Sequence, residues 1–316
     1  MNLKLYQTKA KKYVSGLSPK LTLSPSQVTT WQRCRMRWYW IYVEDCVPTT
    51  TSMPLIVGGI THVLRELWLQ DIHNETPQKN FNEEVLSRLE ESIQAQYDCT
   101  EEEARFASQE SLRLIRVYLT ELAGDPDFTV HHPELQLEKD FGDYILYARL
   151  DGLARDKHQQ RLYRDELKTT SRMDSQYLGG YRRGLQTGIC HLLMQDLLPE
   201  KTYGSLFEIL AKTQIAQAKR QAVPLDKWQV EYTRITVDNE AKEILAGRVF
   251  PSLQCHMYNK MCEYKPLCQA SLSSTKGALA RAKTLYNSRK EEFKRRQKAQ
   301  LFGVPIFDKD GMPKGN

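Results

Sequence analysis

Residues 144–155 and 161–168 alternate apolar and polar side chains and favour β-branched or aromatic types, the pattern of two strands joined by a turn at Asp156-Lys157-His158. No other feature constrains the fold as much, because a period of two decides which side chains share a face. Glu166 and Lys168 stand two apart and project together, while Leu167 faces the opposite way, into a core. Asp151 closes the apolar run 144–150 and precedes Gly152, so adjacent strands can bring it beside Glu166. Two carboxylates and a strand carbonyl form a hard oxygen set suited to Mg2+ or Mn2+. A neighbouring ammonium can orient water or offset developing charge. Outside such a setting, Asp-Gly is a common turn and Glu-x-Lys a common surface pair.

The flanking sequence predicts an α/β domain with a mixed sheet and a helical N-terminal insertion. Residues 1–20 read as a basic lead-in without clear period. A helix with Ser24 or Ser26 as N-cap carries Cys34, and the aromatic run Trp38, Tyr39, Trp40 and Tyr42 follows. Further helices are expected over 54–70, 83–98 and 101–123, the last ending at the turn Gly124-Asp125-Pro126. In the first of these, Gly58-Gly59 leaves room for a close backbone approach. A strand over 128–138 precedes the central pair. A helix over 174–197, strands over 203–213 and 227–236, and a short helix near 239–247 come after it. Residues 273–299 read as one very basic helix and 300–316 as a loose tail. The division expected is a lead-in over 1–20, a main domain over 21–270 and a basic tail over 271–316.

Charge is unevenly spread. The chain carries a net +6, with both ends basic and the stretch between them acidic. Basic ends around an acidic body suit a protein that gathers phosphates peripherally and metal ions centrally, and they equally suit solvated termini. Lys276, Arg281, Lys283, Arg289, Lys290, Lys294, Arg295, Arg296 and Lys298 crowd the predicted last helix. They point to phosphate binding, a solvated face or a docking surface for a partner. No apolar run reaches a membrane span, and the lysine-rich start is unlike a secretory signal, so a cytoplasmic location is expected. Three of seven cysteines cluster as Cys255, Cys262 and Cys268; in such a chain clustered thiols point to metal before disulfide. Cys34 is the natural fourth ligand, with His256 as a weaker substitute and zinc as one possible metal.

These motifs, in this order, resemble the RecB-like branch of the PD-(D/E)XK nuclease superfamily over most of residues 22–270. That branch includes AddB-type recombination nucleases, CRISPR-associated adaptation exonucleases and phage-encoded relatives. The resemblance rests on Leu23-Ser24-Pro25-Ser26 with Trp31 and Cys34, on Gly58-Gly59-Ile60-Thr61-His62, on Asp151, on Glu166-Leu167-Lys168 and on Gln186. It implies a restriction-endonuclease-like core that cuts DNA with Mg2+ or Mn2+. Asp151, Glu166, Lys168 and Gln186 would be catalytic. His62, Asp151, Glu166 and the Leu167 carbonyl would ligate the ion. Glu66, one helical turn beyond His62, could share the site, and Glu134 is a weaker candidate. Gln186 matches the Gln of a Gln-x-x-x-Tyr motif, but Cys190 stands where that motif has Tyr.

By the same resemblance, Cys34, Cys255, Cys262 and Cys268 would hold a 4Fe-4S cluster that staples the chain ends around the core. Cys46, Cys99 and Cys190 would be plain buried thiols. Exonuclease action on single-stranded or frayed DNA ends is expected, in recombination, repair or phage DNA metabolism, with Lys276, Arg281, Arg289, Lys290, Arg295 and Arg296 on the DNA. No phosphate-loop motif is present, so unwinding would fall to a helicase or recombination partner. The rival expectation is a catalytically silent DNA-binding component of a recombination or replication complex. The aromatics at 38–42 could stack bases, although core packing beside the cluster is the simpler role.

Overall fold

A computed structural model of the chain describes residues 3–16, 20–73, 75, 83–125, 127–131, 135–175, 179–181, 184–252, 255–257, 260–273 and 275–298. Glu134 and the expected loose tail lie outside the described residues. Two compact units are present. One comprises Met1–Thr49, Lys139–Tyr147 and Arg234–Lys294; the other comprises Thr50–Glu138, Ala148–Thr233 and Arg295–Asn316.

The first unit begins with a helix, α1 (Leu3–Ser15), where the sequence suggested no regular element. Its signal is a narrow stripe: Tyr6, Ala10 and Val14 recur every fourth residue and are buried. Strand β1 (Leu21–Leu23) leads into α2 (Pro25–Arg33), whose N-cap is Ser24, with its Oγ accepting the Gln27 N–H at 3.2 Å. Cys34 lies outside that helix. It sits in extended backbone between α2 and α3 (Arg35–Trp38). The chain then widens into one π turn, Tyr39–Val43, which buries Tyr39, Trp40, Ile41 and Tyr42 together. The aromatics are core: Trp31 meets Trp38 edge-on at 5.1 Å, and Tyr6 packs against Tyr39 and Trp40 at 5.2 and 5.7 Å.

The expected long basic helix is instead three elements. After β2 (Cys46–Pro48), the chain returns much later through α11 (Ala278–Lys283), β12 (Tyr286–Ser288) and α12 (Arg289–Lys298). Strand β12 pairs antiparallel with β2, from Tyr286–Pro48 to Ser288–Cys46. Glu44 gathers Lys9 at 3.0 Å, Lys283 and the Tyr39 hydroxyl. Burial alone would raise the Glu44 carboxyl; these three donors outweigh it and hold it down at about 2.

The second unit is built on a five-stranded mixed sheet. Its strands are β3 (Phe128–His131), β6 (Gly152–Asp156), β7 (Leu162–Thr170), β8 (Thr202–Ala211) and β9 (Gln217–Pro224), and they lie side by side in that order. Only β7 and β8 run parallel, with α8 (Leu185–Leu197) lying between them in the chain. Helix α4 (Met53–His73) is buried nearly all round. A Cβ on Gly58 would stand 3.1 Å from the Thr169 hydroxyl of β7, so the expected close approach is present there. The helix expected over 83–98 is broken into α5 (Glu83–Ser87) and α6 (Leu89–Tyr97). Helix α7 (Glu101–Glu121) opens with a complete capping box between Thr100 and Glu103 and packs against α4 and α6.

Three strand assignments change. The stretch 128–138 is two strands, β3 and β4 (Leu135–Asp140), and these belong to different sheets. The stretch 144–155 is likewise β5 (Tyr144–Leu150), paired with β1 and β4, followed by β6 in the larger sheet. Residues 227–236 are not a strand but the start of α9 (Lys227–Leu245), which also absorbs the short helix expected near 239–247. Its aromatic and β-branched residues favoured a strand, yet Asp226 caps the N–H groups of Trp228 and Gln229, each at 2.9 Å, and the Gln229 side chain accepts the Asp226 N–H in return. Among the described residues no helix is long and apolar enough to cross a membrane.

Candidate active site

Asp151 is the residue at which the chain leaves one sheet for the other, and it belongs to neither strand. Its position follows from the ladder: Gly152 pairs with Asp165, so the next step along β7 is Glu166. There the Asp151 side chain takes over the role of a strand partner, with Oδ2 accepting the Leu167 N–H at 3.0 Å. Asp151 and Glu166 therefore converge. Burial, and then the nearby Glu166 charge, push the Asp151 carboxyl well above the usual carboxylate range.

On β7, Arg164, Glu166 and Lys168 alternate onto one face and Asp165 and Leu167 onto the other. Glu166 is 3% exposed. Its Oε1 lies 2.5 Å from the Lys168 ammonium and accepts a long bond of 3.4 Å from the Gln186 amide at the start of α8. Its Oε2 pairs with Arg164. Burial would raise Glu166, but Arg164 and Lys168 overcome this and keep it ionised. Gln186, which matches the Gln of the resembling motif, thus reaches Glu166.

His62 projects from α4, with Nδ1 3.4 Å from Asp151 Oδ2. Burial, helped by the Lys168 charge, lowers its pKa to about 3, so the ring is neutral. Glu66, one turn along, is buried, and that burial raises it to about 7 against the pull of Arg149. Asp151, Glu166, Leu167, Lys168, Gln186 and His62 thus come together, although among the described residues no three His, Cys, Asp or Glu side chains form a ready metal-binding group.

Sequence reasoning missed a set of buried ions on the far face of β7. Arg65 of α4 pairs with both Asp165 and Glu208, and Arg220 joins Glu208 to Asp125. The available signal was Glu208, a lone charge within the apolar run Leu206-Phe207-Glu208-Ile209-Leu210. Arg164 was missed as well, although the alternation that selects Glu166 and Lys168 includes it.

All four cysteines of the expected cluster belong to the first unit. Cys255 and Cys262 flank a short ladder of β10 (His256–Met257) and β11 (Lys260–Met261), and the Cys262 N–H donates to the Cys255 carbonyl at 2.7 Å. Cys268 lies on α10 (Lys265–Leu272), and its sulfur accepts the Trp40 indole N–H at 3.3 Å. Burial, together with the proximity of Cys34, Cys262 and Cys255, pushes the Cys268 thiol up to about 11. Cys190 is a buried thiol, as expected. Lys276, Arg281 and Lys290 are exposed, while the Arg289 guanidinium lies over the Tyr42 ring at 4.9 Å. The side chains of Arg295 and Arg296 lie outside the described residues.

No curated protein matches the sequence. Among solved structures, a presumed exonuclease from Eubacterium rectale has a TM-score of 0.41 and 11% identity, covering 82% of this chain and 90% of that one. The protein SSO0001 has a TM-score of 0.34 and 15% identity, covering 85% of this chain and 96% of that one. Similarities at this level add nothing to the assignment. The sequence itself matches the family model of the PD-(D/E)XK nucleases over residues 22–269, which includes Asp151 and the Glu166-Leu167-Lys168 strand. With a mixed α/β fold and a match over well more than half its length, the chain belongs to the PD-(D/E)XK nuclease superfamily.

Proposed function

We propose that this protein is a Mg2+- or Mn2+-dependent deoxyribonuclease that acts as an exonuclease on single-stranded or frayed DNA ends in recombination, repair or phage DNA metabolism. The observation that carries the reading is the convergence of Asp151, Glu166 and Lys168 around the Leu167 backbone. The oxygen donors fit a divalent ion: two carboxylates and the Leu167 carbonyl are what Mg2+ or Mn2+ takes, and the neutral His62 ring would add a nitrogen better suited to Mn2+ than to Mg2+. A bound ion would supply Lewis-acid activation of water and offset charge on the scissile phosphate. Lys168 then donates to the attacking water or to a phosphate oxygen, and Gln186 steadies the Glu166 oxygen that faces it. Exposed Lys276, Arg281 and Lys290 are suited to phosphates, and Arg289, Arg295 and Arg296 extend the same basic segment.

The proposal includes a 4Fe-4S cluster on Cys34, Cys255, Cys262 and Cys268. It is supported by their common unit, by the electrostatic closeness of Cys268 to the other three and by the Trp40 N–H on its sulfur, a contact that favours thiolate. Anaerobically purified protein should then be brown and carry iron; a colourless protein with one zinc would replace the cluster by the other thiolate metal.

The catalytic reading is tested with end-labelled single-stranded DNA and Mn2+. Wild type should shorten the strand from an end, and Lys168→Ala should not. Equal degradation by both would remove the assigned site. DNA binding by wild type without degradation would make the protein a silent component of a larger complex, with any unwinding left to a helicase partner.

A further inference from the structure

Arg164 is buried, 1% exposed, on the same face of β7 as Glu166 and Lys168. Its guanidinium spends one nitrogen on Glu166 Oε2 and lies 6.0 Å from the Phe207 ring centroid. Its Nε and Nη1 have no hydrogen-bond partner among the described residues. Burial opposes the charged guanidinium, and Cys190, Glu166 and Asp151 around it more than offset that cost, while two of its donors stay unused among the described residues. Cys190, where the resembling motif has tyrosine, stands close enough to Arg164 to interact with its charge.

Resting on the metal site proposed above, we infer that Arg164 is a positioning residue that claims one oxygen of Glu166, so that only Oε1 is offered to a divalent cation. Oε1 is the oxygen that Lys168 and Gln186 face, and Oε2 is the one that Arg164 holds. A carboxylate free at both oxygens could close on the ion with two contacts and hold it tightly in an unproductive geometry. Arg164 prevents this and adds a positive charge nearby, so it should weaken ion binding while improving alignment. A residue that served folding alone would not have these opposite effects.

The test is Mn2+ binding to the full chain by calorimetry, read beside turnover on single-stranded DNA. Arg164→Met should bind Mn2+ about tenfold more tightly, by removal of one close positive charge, and cleave about tenfold more slowly, by loss of alignment. Arg164→Lys should restore the wild-type affinity. Folded Arg164→Met that binds Mn2+ no more tightly than wild type overturns the inference. If that variant does not fold, Arg164→Gln is read the same way, and failure of both to fold assigns Arg164 to structure alone. Should wild type bind no Mn2+, or bind it unchanged after Asp151→Asn, the metal site itself falls and this inference with it.

Discussion

In the acidic site one carboxylate, Glu166, is met by Arg164, Lys168 and Gln186, whereas in the cysteine region the Cys268 sulfur receives, among the described residues, one donated bond from Trp40 and otherwise feels the charges of other thiols. The first region carries its own countercharge. Beneath it the buried set Arg65, Asp165, Glu208 and Arg220 is paired among its own members. The second gathers thiols, with little compensation for their ionised forms among the described residues. Under the proposed function the two regions would use metal differently, for chemistry in one and for folding in the other.

Removing each metal should therefore have opposite consequences. Loss of iron, or Cys268→Ala, should unfold the first unit, at a cost on the order of 10 kcal/mol by comparison with other thiolate metal sites. Hydrogen exchange at Trp31, Trp38 and Trp40 would report it, and an unchanged melting curve would break the comparison. Chelation of divalent ions should leave that curve in place. Asp151→Asn keeps an acceptor for the Leu167 N–H and removes a crowded negative charge. It should slow cleavage about a thousandfold, about 4 kcal/mol of barrier, with no loss of thermal stability.

Smaller effects sharpen the contrast. Arg65→Met leaves Asp165 buried without the guanidinium that neutralises it and strips one cation from Glu208. Equilibrium unfolding should show a loss of about 3 kcal/mol, independent of added Mn2+. The smallest effect is in acid. Glu44 is held below its ordinary value of 4.5, so its contribution is present above that pH and fades as pH falls towards about 2. Chemical unfolding followed through the tryptophans should show this loss between those values, and Glu44→Gln should flatten it.

Much of the site could be read from the sequence because strand alternation is short-ranged: the residues at 166 and 168 share a face wherever the strand goes. Asp151 was legible as an end of an apolar run, but its change of sheet was not, since the Leu167 N–H that it satisfies lies on another strand. The far-face ions were hidden because pairing between Arg65 and Asp165 depends on helix-to-sheet packing. Strand β9 went unread for a different reason. It is an edge strand with Gln217, Lys219 and Gln221 on one face and small residues around Arg220 on the other, only Val223 being buried, so no apolar period marks it. In 227–236, propensity pointed to a strand, and a local signal, Asp226 three residues before Gln229, overrode it.

The pairing of β12 with β2 is reinforced at its end by Asp45, which accepts the backbone N–H groups of Arg289 and Lys290 and the Ser288 hydroxyl. A protease nick in the exposed turns on either side of α11 would therefore not set the downstream fragment free. The severed piece would remain clasped by its own mainchain bonds, and the clipped protein would travel as one particle until denatured.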